Sequence, residues 1–184
     1  MQYLRLYWDD IEELCIEIAR EIKKSRLDFD IIIGLARGGL IPSRILSDLL
    51  DNNELYTVRV KFYSGIAETE DEPRIIHPVQ IDVSGKNILL VDDIADTGRS
   101  LMLAEKHLND KKAGKITVVT LIKKPTSKFI PNIYVQDTDA WVIFPWEVRE
   151  TVRLLASKYN GSELQEELRQ AEITNSESKE ALEL

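Results

Sequence analysis

The most informative segment of this chain reads Ile88-Leu89-Leu90-Val91-Asp92-Asp93-Ile94-Ala95-Asp96-Thr97-Gly98-Arg99-Ser100. Its four leading apolar residues predict a strand that is covered on both faces. The carboxylates at the end of that strand should face the crevice in which open α/β sheets bind ligands. From Thr97 to Ser100, backbone N–H groups, two hydroxyls and a guanidinium open a helix, and this arrangement favours a phosphate. The segment therefore predicts a ligand with both hydroxyls and phosphate, such as a phosphorylated sugar, and a divalent metal ion between them.

Hydrophobic patterns elsewhere predict strands that alternate with helices. Ile31-Ile32-Ile33 indicates a short buried strand, and Pro42 lies where the first turn of the next helix should be. Residues 55–63 alternate and are rich in β-forming residues, whereas residues 64–78 are polar and acidic and predict a long loop or loose hairpin. Strands that alternate with helices imply an α/β domain whose central sheet is mostly parallel and covered on both sides.

Length and composition predict one domain over residues 1–160, followed by an acidic tail over residues 161–184. The chain has 184 residues, and its tail carries seven Glu against only Arg169 and Lys179. A weak helical stripe in the tail leaves two alternatives, a peripheral helix or disorder.

Charge and cysteine usage exclude several classes of protein. The formal charge of −8 argues against nucleic acid as the main partner, because backbone affinity depends on clustered Lys and Arg. The sequence carries neither a run of apolar residues long enough to span a membrane nor a secretory signal. The single cysteine, Cys15, lies in an apolar helical stripe and is interpreted as a core residue. These features together predict a cytoplasmic protein.

The segment from Ile88 to Ser100 resembles the ribose-phosphate signature of type I phosphoribosyltransferases, which bind phosphoribosyl pyrophosphate (PRPP). The resemblance implies a mostly parallel sheet flanked by helices, with a small hood and a mobile loop. It also implies that Asp92 and Asp93 hold the ribose hydroxyls, with Asp93 on the metal side, and that Thr97 to Ser100 bind the 5′-phosphate. Asp96 matches the proposed general base, which acts at N7 of a purine.

The first strand is followed by Gly34-Leu35-Ala36-Arg37-Gly38-Gly39-Leu40-Ile41-Pro42. Glycines let the backbone approach a ligand closely, and an arginine fork suits phosphate oxygens. The turn resembles the pyrophosphate loop of the 6-oxopurine enzymes, in which a non-proline cis peptide can occur, and we predict one between Ala36 and Arg37. The residues that match PRPP-binding positions are Arg37, Gly38, Gly39, Asp92, Asp93, Ala95, Asp96, Thr97, Gly98, Arg99 and Ser100.

Two further segments resemble the base site of those enzymes. Lys124, next to Pro125, matches the lysine that donates to the exocyclic O6 of the base, and Lys123 should point the other way because strand side chains alternate. Trp141 matches the aromatic residue that stacks on the purine, and the main chain at Val142 should read the edge of the base.

The resemblance also implies a metal ligand and a hood loop. Glu147 matches a carboxylate that helps hold a pyrophosphate-side Mg²⁺, although relatives usually carry Asp there. Tyr63 and Ser64 match the aromatic–Ser pair of the hood loop, whose closure excludes water from the reactive sugar.

The implied reaction is purine salvage, in which a 6-oxopurine and PRPP give a nucleoside 5′-monophosphate and pyrophosphate with Mg²⁺. The resemblance is closest to xanthine–guanine and hypoxanthine–guanine phosphoribosyltransferases, which are commonly dimers or tetramers. Three alternatives stay open: a phosphoribosyltransferase for another base such as orotate or adenine, a PRPP-binding transcriptional regulator, and a PRPP synthase. The acidic charge disfavours the regulator, and the absence of an internal sequence repeat disfavours the synthase.

Overall fold

The computed structural model describes residues 2–63 and 72–183. The strands within these ranges are β1 (Tyr3–Arg5), β2 (Ile31–Ala36), β3 (Leu55–Tyr63), β4 (Glu72–His77), β5 (Ile88–Ala95), β6 (Ile116–Lys123), β7 (Ile133–Asp137) and β8 (Trp141–Ile143). The helices are α1 (Trp8–Lys24), α2 (Leu40–Leu49), α3 (Arg99–Asp110), α4 (Val148–Lys158), α5 (Gly161–Gln170) and α6 (Asn175–Glu183).

A six-stranded sheet forms the centre of the larger compact unit, which comprises residues 12–138. Its strand order is β4-β3-β2-β5-β6-β7, and every neighbouring pair is parallel except the β3–β4 hairpin. The prediction of a mostly parallel sheet is therefore confirmed. The chain runs outward from β2 to β3 and, in the opposite direction, from β5 to β6. The gap between the carboxyl ends of β2 and β5 is thus a topological switch point, where α/β sheets of this kind bind ligands.

Burial on both faces explains why β2 and β5 are continuous apolar strands. Alternate residues of β2, Ile31 and Ile33, share a core cluster with Leu101 and Leu108 of α3. Ile32, which points to the opposite face, is also fully buried, and α2 packs against β2 and β5. Gly34 allows α2 to come this close, since a Cβ at Gly34 would lie 2.5 Å from the Ser43 hydroxyl oxygen.

Strand β5 is longer than its apolar run predicts. It continues through Asp92 and Asp93 to Ala95, because β6 continues to pair with it along this stretch. The two carboxylates are consequently only 9% and 5% exposed, rather than projecting into an open crevice as expected. Within residues 64–78, expected to form a long loop or loose hairpin, the described residues 72–77 form β4, which pairs antiparallel with β3.

The second compact unit contains the residues up to 11 and those from 139 onward. Its β1 and β8 form a two-stranded parallel sheet, and its core cluster joins Ile143 of β8 to Val152 and Leu155 of α4 and to Leu168 of α5. The acidic tail forms α5 and α6 rather than disordered chain. The tail supplies part of the core of this unit.

Cys15 is fully buried in α1, and burial raises the pKa of its thiol to about 12, which fits its interpretation as a core residue.

Among residues 2–63 and 72–183, none of the helices combines the length and the apolarity that crossing a bilayer requires.

Candidate active site

The loop that follows β2 meets strand β5 at the switch point. Gly38 approaches Asp93 so closely that a Cβ on Gly38 would overlap the carboxylate, and Gly39 is packed against backbone oxygens of Leu35 and Val91. Larger residues at these two positions would push the loop away from β5. The Arg37 side chain is exposed, and the Ala36–Arg37 peptide bond is cis, as predicted.

The paired carboxylates are held by backbone donors. The Asp93 N–H donates to Asp92 Oδ1 at 3.1 Å, and the Ile94 N–H donates to Asp93 Oδ1 at 2.8 Å. Burial raises the pKa of Asp92 well above its ordinary value, and the neighbouring charge of Asp93 raises it further. The backbone N–H groups of Asp93 and Gly39 oppose this shift without cancelling it. The pair is therefore predisposed to bind cations or hydrogen-bond donors, both of which reduce its mutual repulsion.

The segment from Asp96 to Ser100 turns sharply into α3. Gly98 makes this turn with φ of +79°, and Arg99 is the first residue of the helix. Asp96 and Thr97 are exposed, whereas Arg99 and Ser100 are half-buried. The start of α3 therefore presents backbone N–H groups together with hydroxyl and guanidinium groups, which is a combination suited to a phosphate.

Hydrogen bonds join this segment to the loop after β6. The backbone N–H of Lys124 donates to the Ala95 carbonyl at 2.9 Å, and the backbone N–H of Lys128 donates to the Thr97 carbonyl at 3.2 Å. Gly98 lies against Phe129, where a Cβ on the glycine would come within 2.5 Å of the Phe129 Cβ. The predicted sugar-phosphate segment and the predicted O6-binding lysine therefore belong to one connected structure.

The two lysines at the end of β6 have different surroundings. Lys123 forms an ion pair with Asp137, at 2.5 Å between Nζ and Oδ1, and its Nζ lies 5.1 Å from the centre of the Tyr134 ring. Its side chain is mostly buried, whereas that of Lys124 is half-buried just beyond the strand. Lys123 thus joins β6 to β7 through its ion pair with Asp137.

Trp141, Val142 and Glu147 lie in the second compact unit. The Trp141 side chain is 39% exposed, and Val142 is buried. Glu147 is half-buried immediately before α4. A partly exposed indole offers a flat surface on which a purine can stack.

The hood-loop predictions fall largely outside the described residues. Ser64 is not among them, and Tyr63 is described only as the last residue of β3, where its backbone pairs with Glu72.

The described residues offer Mg²⁺ few protein ligands. In residues 2–63 and 72–183, no three His, Cys, Asp or Glu side chains gather as a metal site. The candidate donors Asp93 and Glu147 supply only carboxylate oxygens, the ligand type that Mg²⁺ prefers, and this ion commonly keeps several waters and substrate oxygens. Either carboxylate by itself therefore suits a metal ion that is held largely by a phosphorylated substrate.

Two supporting residues were not recognised from the sequence. Asp137 forms the ion pair with Lys123 and lies beside it in the register of β6 and β7. An acidic residue on the neighbouring strand was the sequence signal that could have predicted this pair. Phe129 packs against Gly98 from the loop after β6, and no local pattern indicates that contact.

Comparisons with known proteins agree on one family. The family model of the phosphoribosyl transferase domain matches residues 7–153. The xanthine-guanine phosphoribosyltransferase of Gluconobacter oxydans is 29% identical over 149 residues, which are 80% of this chain and 86% of that protein. The enzyme of the same name from Chromohalobacter salexigens is 30% identical over 158 residues, covering 80% of this chain and 85% of that protein. The crystal structure of purine phosphoribosyltransferase from Pyrococcus horikoshii superposes with a TM-score of 0.72 at 33% identity, covering 79% of this chain and 94% of that chain.

Proposed function

The chain belongs to the phosphoribosyltransferase family, and from that premise we propose that it is a purine-salvage enzyme. It transfers the phosphoribosyl group of PRPP to a 6-oxopurine, with Mg²⁺, and releases pyrophosphate. The relatives named above are xanthine-guanine or purine phosphoribosyltransferases, which supports hypoxanthine, guanine and xanthine as the bases to test.

The observation that carries this proposal is the contact of the loop after β2 with the two carboxylates of β5 at the switch point. The Arg37–Gly39 turn touches the Asp92–Asp93 pair, so a pyrophosphate on this loop would lie next to ribose hydroxyls on the carboxylates. These are the two parts of PRPP that flank the reacting C1 carbon. A site of this form holds the sugar and the leaving group together before the base arrives.

Each side of PRPP has its own group of residues. Arg37 and the amides of Gly38 and Gly39 bind the pyrophosphate and stabilise the charge that develops as it leaves. Asp92 and Asp93 accept hydrogen bonds from the ribose hydroxyls. The loop after Ala95 and the first turn of α3 bind the 5′-phosphate.

The base side supplies orientation and proton transfer. Lys124 donates to O6, Trp141 stacks on the purine, and the main chain of Val142 reads the edge of the base. Asp96 accepts the proton from N7 as the new glycosidic bond forms, a role that typically contributes about 10²–10⁴-fold to the rate. Tyr63 and Ser64 belong to the hood that excludes water from the sugar cation.

Carboxylate donors at Asp93 and Glu147 fit Mg²⁺, which when bound neutralises charge on the departing pyrophosphate. The protein's part in this step is to orient the oxygens of the substrate. We also propose that the enzyme is a cytoplasmic homo-oligomer, a dimer or a tetramer, whose mass in solution is measurable by light scattering.

The experiment that tests the proposal is an absorbance assay with PRPP and Mg²⁺. Hypoxanthine, guanine, xanthine, adenine, orotate and uracil are offered in parallel, with a chelator control for each base. We expect turnover of one or more 6-oxopurines and its loss with the chelator. If none of the bases is turned over although PRPP binding is measurable, the enzyme proposal is overturned and a PRPP-binding regulator is favoured.

A further inference from the structure

Trp141 is placed by the amino-terminal strand of the chain. Strand β1 pairs in parallel with β8, and their register sets Tyr3 beside Trp141. The backbone N–H of Trp141 donates to the Gln2 carbonyl at 2.8 Å, which fixes the backbone of the tryptophan. The indole is still 39% exposed, so its backbone alone does not determine its orientation.

Tyr3 is in turn held by the acidic tail. Its hydroxyl donates to the Glu167 carboxylate of α5, and its ring packs against the core cluster of this unit. Burial raises the pKa of Tyr3 well above its ordinary value, and Glu167 raises it further, so the phenol remains a donor at neutral pH. A charge-assisted bond of this kind fixes the position of the ring more firmly than a neutral one.

A small cavity of about 90 Å³ adjoins both rings. Its walls are formed by Tyr3 and Trp141 and by Thr151, Leu154, Leu155, Lys158 and Tyr159. Most interiors are close-packed, and a void next to a side chain removes contacts that would otherwise hold it. The indole therefore has room to tilt on this side, and Tyr3, its register partner on β1, lines the same cavity.

We propose that Tyr3 and Glu167 are positioning residues for the base: the Glu167 carboxylate fixes the Tyr3 ring, and the ring holds the Trp141 indole in its stacking orientation. The inference rests on the proposed function, because it needs Trp141 to contact the purine. It assigns to the acidic tail a part in base affinity, separate from the binding of PRPP.

The test uses the fluorescence of Trp141 itself. The chain has three tryptophans, so a Trp8→Phe/Trp146→Phe parent leaves Trp141 as the sole indole. Guanosine 5′-monophosphate is the probe, because its stacked base should quench that indole, and the titration gives a Kd. The titration is repeated on Tyr3→Phe, on Glu167→Ala and on the double variant, with PRPP affinity measured separately by calorimetry.

Tyr7→Phe is the matched control. It also deletes a phenol hydroxyl that donates to a glutamate of the tail, Glu172, at 3.2 Å, but Tyr7 lies beyond the residues that pair with β8. Glu167→Gln is the conservative rescue, since its amide oxygen still accepts from Tyr3. Thermal melts show whether each variant is folded.

We expect Tyr3→Phe and Glu167→Ala each to weaken nucleotide binding about three- to tenfold, which corresponds to the loss of one hydrogen bond. The double variant should be no weaker than either single variant, because both delete the same bond. Glu167→Gln should restore most of the nucleotide affinity. Tyr7→Phe should bind the nucleotide as tightly as the parent does, and the PRPP affinity should be unchanged in every variant.

Unchanged nucleotide affinity in Tyr3→Phe and Glu167→Ala would overturn the inference while leaving the proposed function intact. Equal weakening by Tyr3→Phe and Tyr7→Phe would also overturn it, because the effect would then be a general one on stability. If the nucleotide binds but leaves the Trp141 fluorescence of the parent unchanged, the inference fails although nucleotide recognition stands. If neither nucleotide nor PRPP binds the parent, the proposed function fails with it.

Discussion

Asp96 differs from the acidic residues before it because its side chain is exposed, in the loop between β5 and α3. An Asp96→Asn substitution keeps the size and removes the base. We expect turnover to fall at least about a hundredfold, in line with the loss of general base catalysis, with little change in PRPP affinity. Steady-state kinetics with varied PRPP and varied base measure both quantities. Turnover near that of the wild type would remove Asp96 from this role.

Lys124 and Lys123 allow a matched comparison, since they are adjacent and chemically identical. Lys124→Met should raise the KM for the base about tenfold or more while the PRPP KM stays constant, because a charge-assisted hydrogen bond to O6 is lost. Lys123→Met removes the ion pair with Asp137 and should lower thermal stability with a smaller effect on the base KM. The opposite result, with the larger KM effect at Lys123, would reassign the O6 contact.

At the scale of elements, local patterns predict β2, β5 and the helices that follow them, because these strands are apolar runs bounded by turn residues. Strand β1 could not be predicted in this way. Tyr3-Leu4-Arg5 becomes a strand only because it pairs with β8, which is the last strand along the sequence and therefore distant from β1. The burial of Asp92 and Asp93 escaped prediction for a similar reason, since pairing with β6 carries β5 past its apolar residues.

The turn into α3 gives a prediction with a control elsewhere in the chain. Gly98→Ala should cost about 1–2 kcal/mol from its left-handed backbone alone, and its overlap with Phe129 should add to this and raise the PRPP KM severalfold. Gly85→Ala meets the same backbone penalty at φ of +71°, but a Cβ there has nothing within 4 Å. Urea denaturation and PRPP kinetics compare the two. Equal losses of stability with an unchanged PRPP KM would show that the Phe129 contact has no part in the site.

At the scale of the whole chain, the amino-terminal strand and the acidic tail are joined by three pairs. Tyr3, Arg5 and Tyr7 alternate along the chain and contact Glu167, Glu177 and Glu172 of the tail. Strand side chains at alternate positions share a face, so one face of β1 and the residues after it meets the tail repeatedly. This arrangement explains why these three glutamates of the tail are tied to β1 and the residues after it.

Arg5–Glu177 is an ion pair with a buried cation, and it makes the stability of this unit depend on pH. The Arg5 side chain is 5% exposed, and its Nη2 donates to Glu177 at 2.9 Å. Its Nε and Nη1 are buried and have no hydrogen-bond partner among residues 2–63 and 72–183. Burial of Glu177 favours its neutral form, but hydrogen bonds from Thr174 and the Arg5 charge outweigh this effect and lower its pKa below the ordinary 4.5. A lowered pKa stabilises the fold above pH 4.5, and this contribution is lost as the pH falls through the folded-state pKa.

Glu177→Gln isolates that charge, because Thr174 and Glu177 also form the capping box of α6, and Gln preserves a capping box. Because the Glu177 side chain is 37% exposed, we expect a loss of about 1–3 kcal/mol at neutral pH, less than for a fully buried pair. The loss should shrink as the pH falls well below 4.5, where wild-type Glu177 is itself protonated. Glu183→Gln, which removes only the exposed pair with Lys179, should change stability by less than about 0.5 kcal/mol. Urea unfolding at neutral and acidic pH measures both variants, and a loss that is independent of pH would mean that the Arg5 charge does not stabilise this unit through Glu177.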